Sequence, residues 1–173
     1  MSPQTGQQAL VIGNVPADLL RMLGEAGVQM QRGETMSGPV QTGRFDLILE
    51  ERPGWKANAL RPDQASFLSE RGRWVVALKG SPAIGVRGWW VRRQMRRRGL
   101  GKVESYYAHS ALWSPVVLVP LDQREPFDYF LRLTISGGSL RRWLILTVFQ
   151  VLVHLRIHAG FLPNCIVVAR RTP

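Results

Sequence analysis

The chain of 173 residues contains one cysteine, Cys165, so it can close no internal disulfide and build no cysteine-cluster metal site. That lone thiol reads as a small buried apolar side chain. The first residues, MSPQTGQQ, carry neither a basic segment nor a long apolar one, which speaks against a secretory leader and for a cytoplasmic protein. No apolar run reaches the roughly 20 residues that a bilayer-crossing helix needs. The Gly-x-Ser-x-Gly elbow, the phosphate-binding loop and the cysteine-histidine pair are all missing. His154 and His158 stand four apart, but no acid lies between or near them, so no metal site is expected, and His109 has no partner either. Acid is scarce throughout: 12 Asp and Glu stand against 23 Lys and Arg, a net charge of +11. Such a balance calls for an anionic partner, whether nucleic acid, a lipid surface or an acidic protein face.

What is present is an alternation of short apolar runs and helical patterns. QALVIGN (8–14), the weaker VQMQRGE (28–34), RFDLILE (44–50), RWVVALKG (73–80), KVESYYAHS (102–110) and CIVVARR (165–171) read as strands. Between them, Pro16 starts a helix carrying Leu19, Leu20, Met22 and Leu23 on one face, a short helix covers about 62–70, and another spans about 85–98. PVVLVPL (115–121) is either a strand or an extended loop. EPFDYFLRLTI is a short helix, and a longer one begins after Ser139 and stops at Gly160. Strands alternating with helices predict an α/β fold, a largely parallel Rossmann-like sheet with helices on both faces. One domain over 1–173 accommodates this length, with a helical insertion at about 111–162.

Two segments concentrate unusual chemistry. GVRGWWVRRQMRRRGLGK (85–102) holds Arg87, Arg92, Arg93, Arg96, Arg97, Arg98 and Lys102 without one acid, beside Trp89 and Trp90. On a helix, Trp90, Val91 and Met95 face a sheet while the arginines fan outward. RRWLILTVFQVLVHLR (141–156) is apolar from Trp143 to Val153 except at Thr147 and Gln150, with Arg141 and Arg142 before it. It is too short to span a bilayer and is either a core helix or an interfacial one, with Trp143 at the polar boundary and the arginines reaching headgroups. The acids Asp46, Glu50 and Glu51 fall on or after the central strand, where open α/β sheets put ligands; the pair Glu50 and Glu51 reads as a solvated strand end or, alternatively, as a base.

With its terminal apolar strand, this order of elements resembles the class I S-adenosylmethionine-dependent methyltransferases. RFDLILE, GRWVVALKG, RRRGLGKVESYYAHS and CIVVARR look like that family's fourth, fifth, sixth and last strands. The resemblance implies a cofactor loop after the first strand of the type acidic-x-Gly-x-Gly-x-Gly, and a ribose-binding acid after the second. Here VIGNVPA keeps Gly13 but sets Val11 at the acid and Val15 and Ala17 at the other glycines, while Glu34 stands at the ribose position. Glycines in such a loop permit unusual dihedrals and let backbone approach the ligand. Only ten residues separate Glu34 from the FDLILE strand, too few for the helix and strand that help enclose the adenine.

The expectation is therefore a methyltransferase-like domain without cofactor or catalytic residue, an accessory subunit peripheral to the inner face of a membrane or of a membrane-protein complex. Trp89, Trp90, Arg92, Arg93, Arg96, Arg97, Arg98, Arg141, Arg142, Trp143 and Phe149 would be its contacts. The alternative is an active methyltransferase on a lipid-like or membrane-presented substrate, with Gly13 and Glu34 on S-adenosylmethionine and Glu50 near the reacting centre. A third reading is a nucleic-acid binder working through the arginine helix.

Overall fold

Strand β1 (Gln8–Ile12) buries Ala9, Leu10 and Val11 in succession, as a strand covered on both faces must. The computed structural model describes residues 6–33, 45–53, 62–79, 84–110, 112–135, 140–154, 162 and 164–171; at 53, 62, 63, 84–89, 135, 141 and 142 the backbone alone is described. After β1 come α1 (Ala17–Glu25), β2 (Gln29–Arg32), β3 (Phe45–Pro53), a 3-10 turn (Pro62–Phe67) and β4 (Leu68–Lys79). The chain continues through α2 (Ile84–Arg97), β5 (Leu100–His109), β6 (Val117–Pro120), α3 (Arg124–Ile135), α4 (Leu140–His154) and β7 (Asn164–Arg171). The segment open between strand and loop is thus a strand, β6, paired antiparallel to β5.

The sheet runs in the order β2-β1-β3-β4-β7-β5-β6. β1 pairs parallel with β2 and β3, and β3 with β4; β7 lies antiparallel between β4 and β5. Strands β1 to β5 therefore share one direction and β6 and β7 oppose it, so the sheet is largely parallel as the alternation predicts. Asp46 ties its amino-terminal edge, accepting hydrogen bonds from the Gln8 backbone at 3.1 Å and from Ser69 Oγ at 2.8 Å.

Helices cover both faces. On one, Leu10, Ile48, Trp74, Val76 and Leu78 pack against Val91 and Met95 of α2, Phe127 and Leu131 of α3 and Val153 of α4. On the other, Val11 and Leu49 meet Val15 and Leu20, while Ala77, Ala108 and Ile166 lie beneath Leu112. Two side chains expected on core faces point elsewhere. Met22 is exposed, because Leu19, Leu20 and Leu23 already fill the inner stripe of α1. Trp90 is 39% exposed, because the i, i+4 pair Val91 and Met95 takes the sheet-facing line of α2.

Candidate functional site

Because β1 connects through α1 to β2 on one side and then returns to β3 on the other, the sheet has its topological switch point at the carboxyl ends of β1 and β3, where open α/β sheets place ligands. Gly13 follows β1 there with φ of +83°, and a Cβ on it would lie 2.5 Å from the Glu51 carbonyl oxygen. Both the dihedral and the close approach of two backbones demand glycine. Asn14 and Pro16 are exposed, whereas Val15 is only 8% exposed and packs against Leu20 and Leu49. The valine that sequence places in the cofactor loop is therefore turned into the core, with its bulk beneath the loop. Pro16 sets up α1 by its φ of -58°, and its carbonyl accepts from the Leu20 amide at 3.2 Å. Beyond β2 the Gly33 amide donates to the Val11 carbonyl at 2.9 Å, bringing the end of β2 beside that of β1. Glu34, the next residue, lies outside the described residues.

The neighbouring acids of β3 point to opposite faces, as alternation along a strand requires. Glu50 has no exposed surface; Trp74 Nε1 donates to its carboxylate at 3.0 Å, Gln64 donates to it, and Arg52 pairs with it. Burial pushes its pKa above the ordinary carboxylate value, against the opposing pull of Arg52, Trp74 and Gln64. Glu51 is half-buried and accepts a hydrogen bond from Trp113 Nε1. The reading of a solvated strand-end pair is corrected accordingly: one carboxylate is sealed and the other bonded. Glu50 can act on a ligand only through its neighbours, since no surface of it is accessible. Trp113 carries no motif in the sequence, and only the chain's return after β5 brings it to Glu51.

Along α2, Arg92 donates to Ser105 Oγ at 3.2 Å and pairs with Asp122, so it fastens α2 to β5 and the start of the helical insertion. Arg93, Arg96 and Arg97 are exposed, Arg98 is half-buried, and the Arg93 guanidinium stands 5.9 Å from the Trp90 ring. The side chain of Trp89 lies outside the described residues, as do those of Arg141 and Arg142, whose backbones form the first turn of α4. Phe149 is half-buried against the core, while Trp143 is exposed. The His154 carbonyl accepts from Arg124 at 3.1 Å, and His158 lies outside the described residues. Tyr107 and His109 meet at 3.3 Å, and the His109 ring stands edge-on to Phe130 at 5.1 Å. Among the described residues no three His, Cys, Asp or Glu side chains gather as metal ligands, and no helix is long and apolar enough to cross a membrane.

No family model and no curated protein matches the chain. Solved structures do. Phosphoethanolamine N-methyltransferase 2 of Haemonchus contortus, in complex with S-adenosyl-L-methionine, superposes with a TM-score of 0.51 at 12% identity, covering 99% of this chain and 50% of that one. The same enzyme with phosphomonomethylethanolamine and S-adenosylhomocysteine gives the same values. An S-adenosylmethionine-dependent methyltransferase of Archaeoglobus fulgidus aligns over 95% of this chain and 86% of its own at 10% identity, with a TM-score of 0.49. The chain thus has a class I methyltransferase-like fold and spans about half the length of the Haemonchus enzyme. The expectation of no cofactor is corrected by these neighbours: the fold is one solved with S-adenosyl-L-methionine and with S-adenosylhomocysteine bound. The valine on which that expectation rested has its side chain in the core, and the exposed residues of the loop before it are Gly13 and Asn14.

Proposed function

We propose that the chain is an S-adenosylmethionine-binding methyltransferase domain acting on a lipid-like or membrane-presented acceptor. The observation that supports it most is the pairing of Gly13 with Glu51 at the switch point, with Val15 turned away from it. Gly13, Asn14 and the first-turn amides of α1 form the donor set for the cofactor, since the start of a helix leaves its first N–H groups without intrahelical partners. Bound there, S-adenosylmethionine supplies a methyl group on a sulfonium, an electrophile ready for transfer. The protein's own part is placement. Glu50 fixes the end of β3 through Trp74, Arg52 and Gln64, and Glu51, held by Trp113, is a half-buried carboxylate at this edge with surface that a ligand can reach. The acceptor class is supported by the phosphoethanolamine in the Haemonchus enzyme's name and by the apolar surface of the insertion.

Amide NMR locates the site. Titration with S-adenosylhomocysteine is expected to move the resonances of Gly13, Asn14, Ala17 and Asp18 and to leave those of β6 and α4 unmoved. Perturbations centred on α2 or α4, or none at saturating ligand, would refute the assignment.

A further inference from the structure

Helix α4 packs on α3, and its Val153, Leu146 and Phe149 join the core cluster, yet most of its apolar surface faces outward. Leu140 is 75% exposed, Trp143 61% and Val148 54%, with Leu144 and Val151 about half exposed. Spacings of three and four residues put these five on one side of the helix. Thr147, the polar residue among them, returns its hydroxyl hydrogen to the Trp143 carbonyl at 3.0 Å, which removes its donor from the surface. Soluble chains seldom leave a contiguous aliphatic and aromatic stripe bare unless something covers it.

We propose that this face of α4 lies on an anionic lipid bilayer. The occupant follows from three properties of the chain. A stripe of four aliphatic side chains and one tryptophan, with no described cation on it, offers nothing to phosphates, which disfavours nucleic acid as its cover. The net charge of +11 makes two copies repel each other, which disfavours a second copy, and attracts the chain to an anionic surface. At 15 residues α4 measures about 22 Å, short of the roughly 30 Å hydrocarbon core, so it lies along the surface and does not cross. Trp143, one turn in from the helix start and 61% exposed, sits where an interfacial helix places its aromatic anchor. Docking rests on α4 and the charge alone, so it stands or falls separately from cofactor binding.

Flotation of the purified protein with phosphatidylcholine vesicles, with and without phosphatidylglycerol, tests it. The protein is expected to float with the anionic vesicles and to lose about tenfold in partitioning in the variant Leu144→Gln, Val148→Gln, Val151→Gln, whose substitutions sit on exposed positions and leave the circular dichroism unchanged. Met22→Gln, exposed on α1, is expected to float like the parent. Three results would overturn the proposal: no flotation with anionic vesicles, flotation indifferent to the triple variant, or a homodimer that the triple variant dissolves, which would make a second copy the cover.

Discussion

Gly13 and Val15 stand two residues apart and carry opposite lessons. The glycine was legible in sequence as a turn former at the end of an apolar run, and the structure adds why nothing else fits: a positive φ and a carbonyl 2.5 Å from where a Cβ would sit. Gly13→Ala should therefore cost at least about 2 kcal/mol, more than an exposed loop change, as read by urea unfolding. The direction of Val15 was not legible, because in a turn no period dictates which way a side chain points. Glu50 was named in sequence as a candidate base, but its burial was not legible, since alternation says that neighbours diverge but not which one meets a tryptophan. Its raised pKa fixes a sign. The folded state favours the protonated carboxyl, so that contribution is fully present below the ordinary value near 4.5 and is lost as pH climbs through the raised one. Glu50→Gln, which keeps an acceptor for Trp74, should gain stability relative to the parent as pH rises from 4.5 and then level off, in unfolding curves taken across that range. Cys165 behaves as its composition suggests: it is buried, its thiol is pushed up to about 12 by loss of solvent, and thiol reagents should label it only on unfolding.

At the scale of elements, continuous apolar runs marked the central strands well, because a strand covered on both faces needs no alternation to be recognised. The helices were placed but their faces were only partly read. In α2 the buried line is Val91 and Met95, and Trp90 lies outside it because tryptophan's apolar character says nothing of its angle around the helix. Met95→Ala is accordingly expected to destabilise by about 2–5 kcal/mol, whereas Arg96→Ala and Arg97→Ala should stay within about 0.5 kcal/mol, by the same unfolding measurement. Arg92 belongs with the first group. Its bonds to Ser105 and Asp122 bridge helix, strand and insertion, a long-range meeting that local sequence cannot encode. For α4, sequence left core and interface as equal choices; one side of the helix joins the core and the other is exposed.

For the whole molecule, the order of elements was enough to anticipate a largely parallel sheet closed by an apolar terminal strand, while the antiparallel insertion of that strand between β4 and β5 emerged only from the structure. The candidate site was legible at Gly13, where the first strand ends at the switch point, and in the placing of Glu50 and Glu51 at the end of the central strand. Its other features, the bond of Trp113 to Glu51 and the core-facing Val15, depend on contacts between segments far apart in the chain. Missing glycines led to an expectation of no cofactor because composition shows which residues are bulky but not where their bulk goes. The central claim is that this edge of the sheet binds S-adenosylmethionine. Isothermal titration calorimetry of the purified chain measures it most directly: saturable one-site binding of S-adenosylmethionine, with competition by S-adenosylhomocysteine and none by ATP, is the predicted result, and no heat above dilution at millimolar ligand would contradict it.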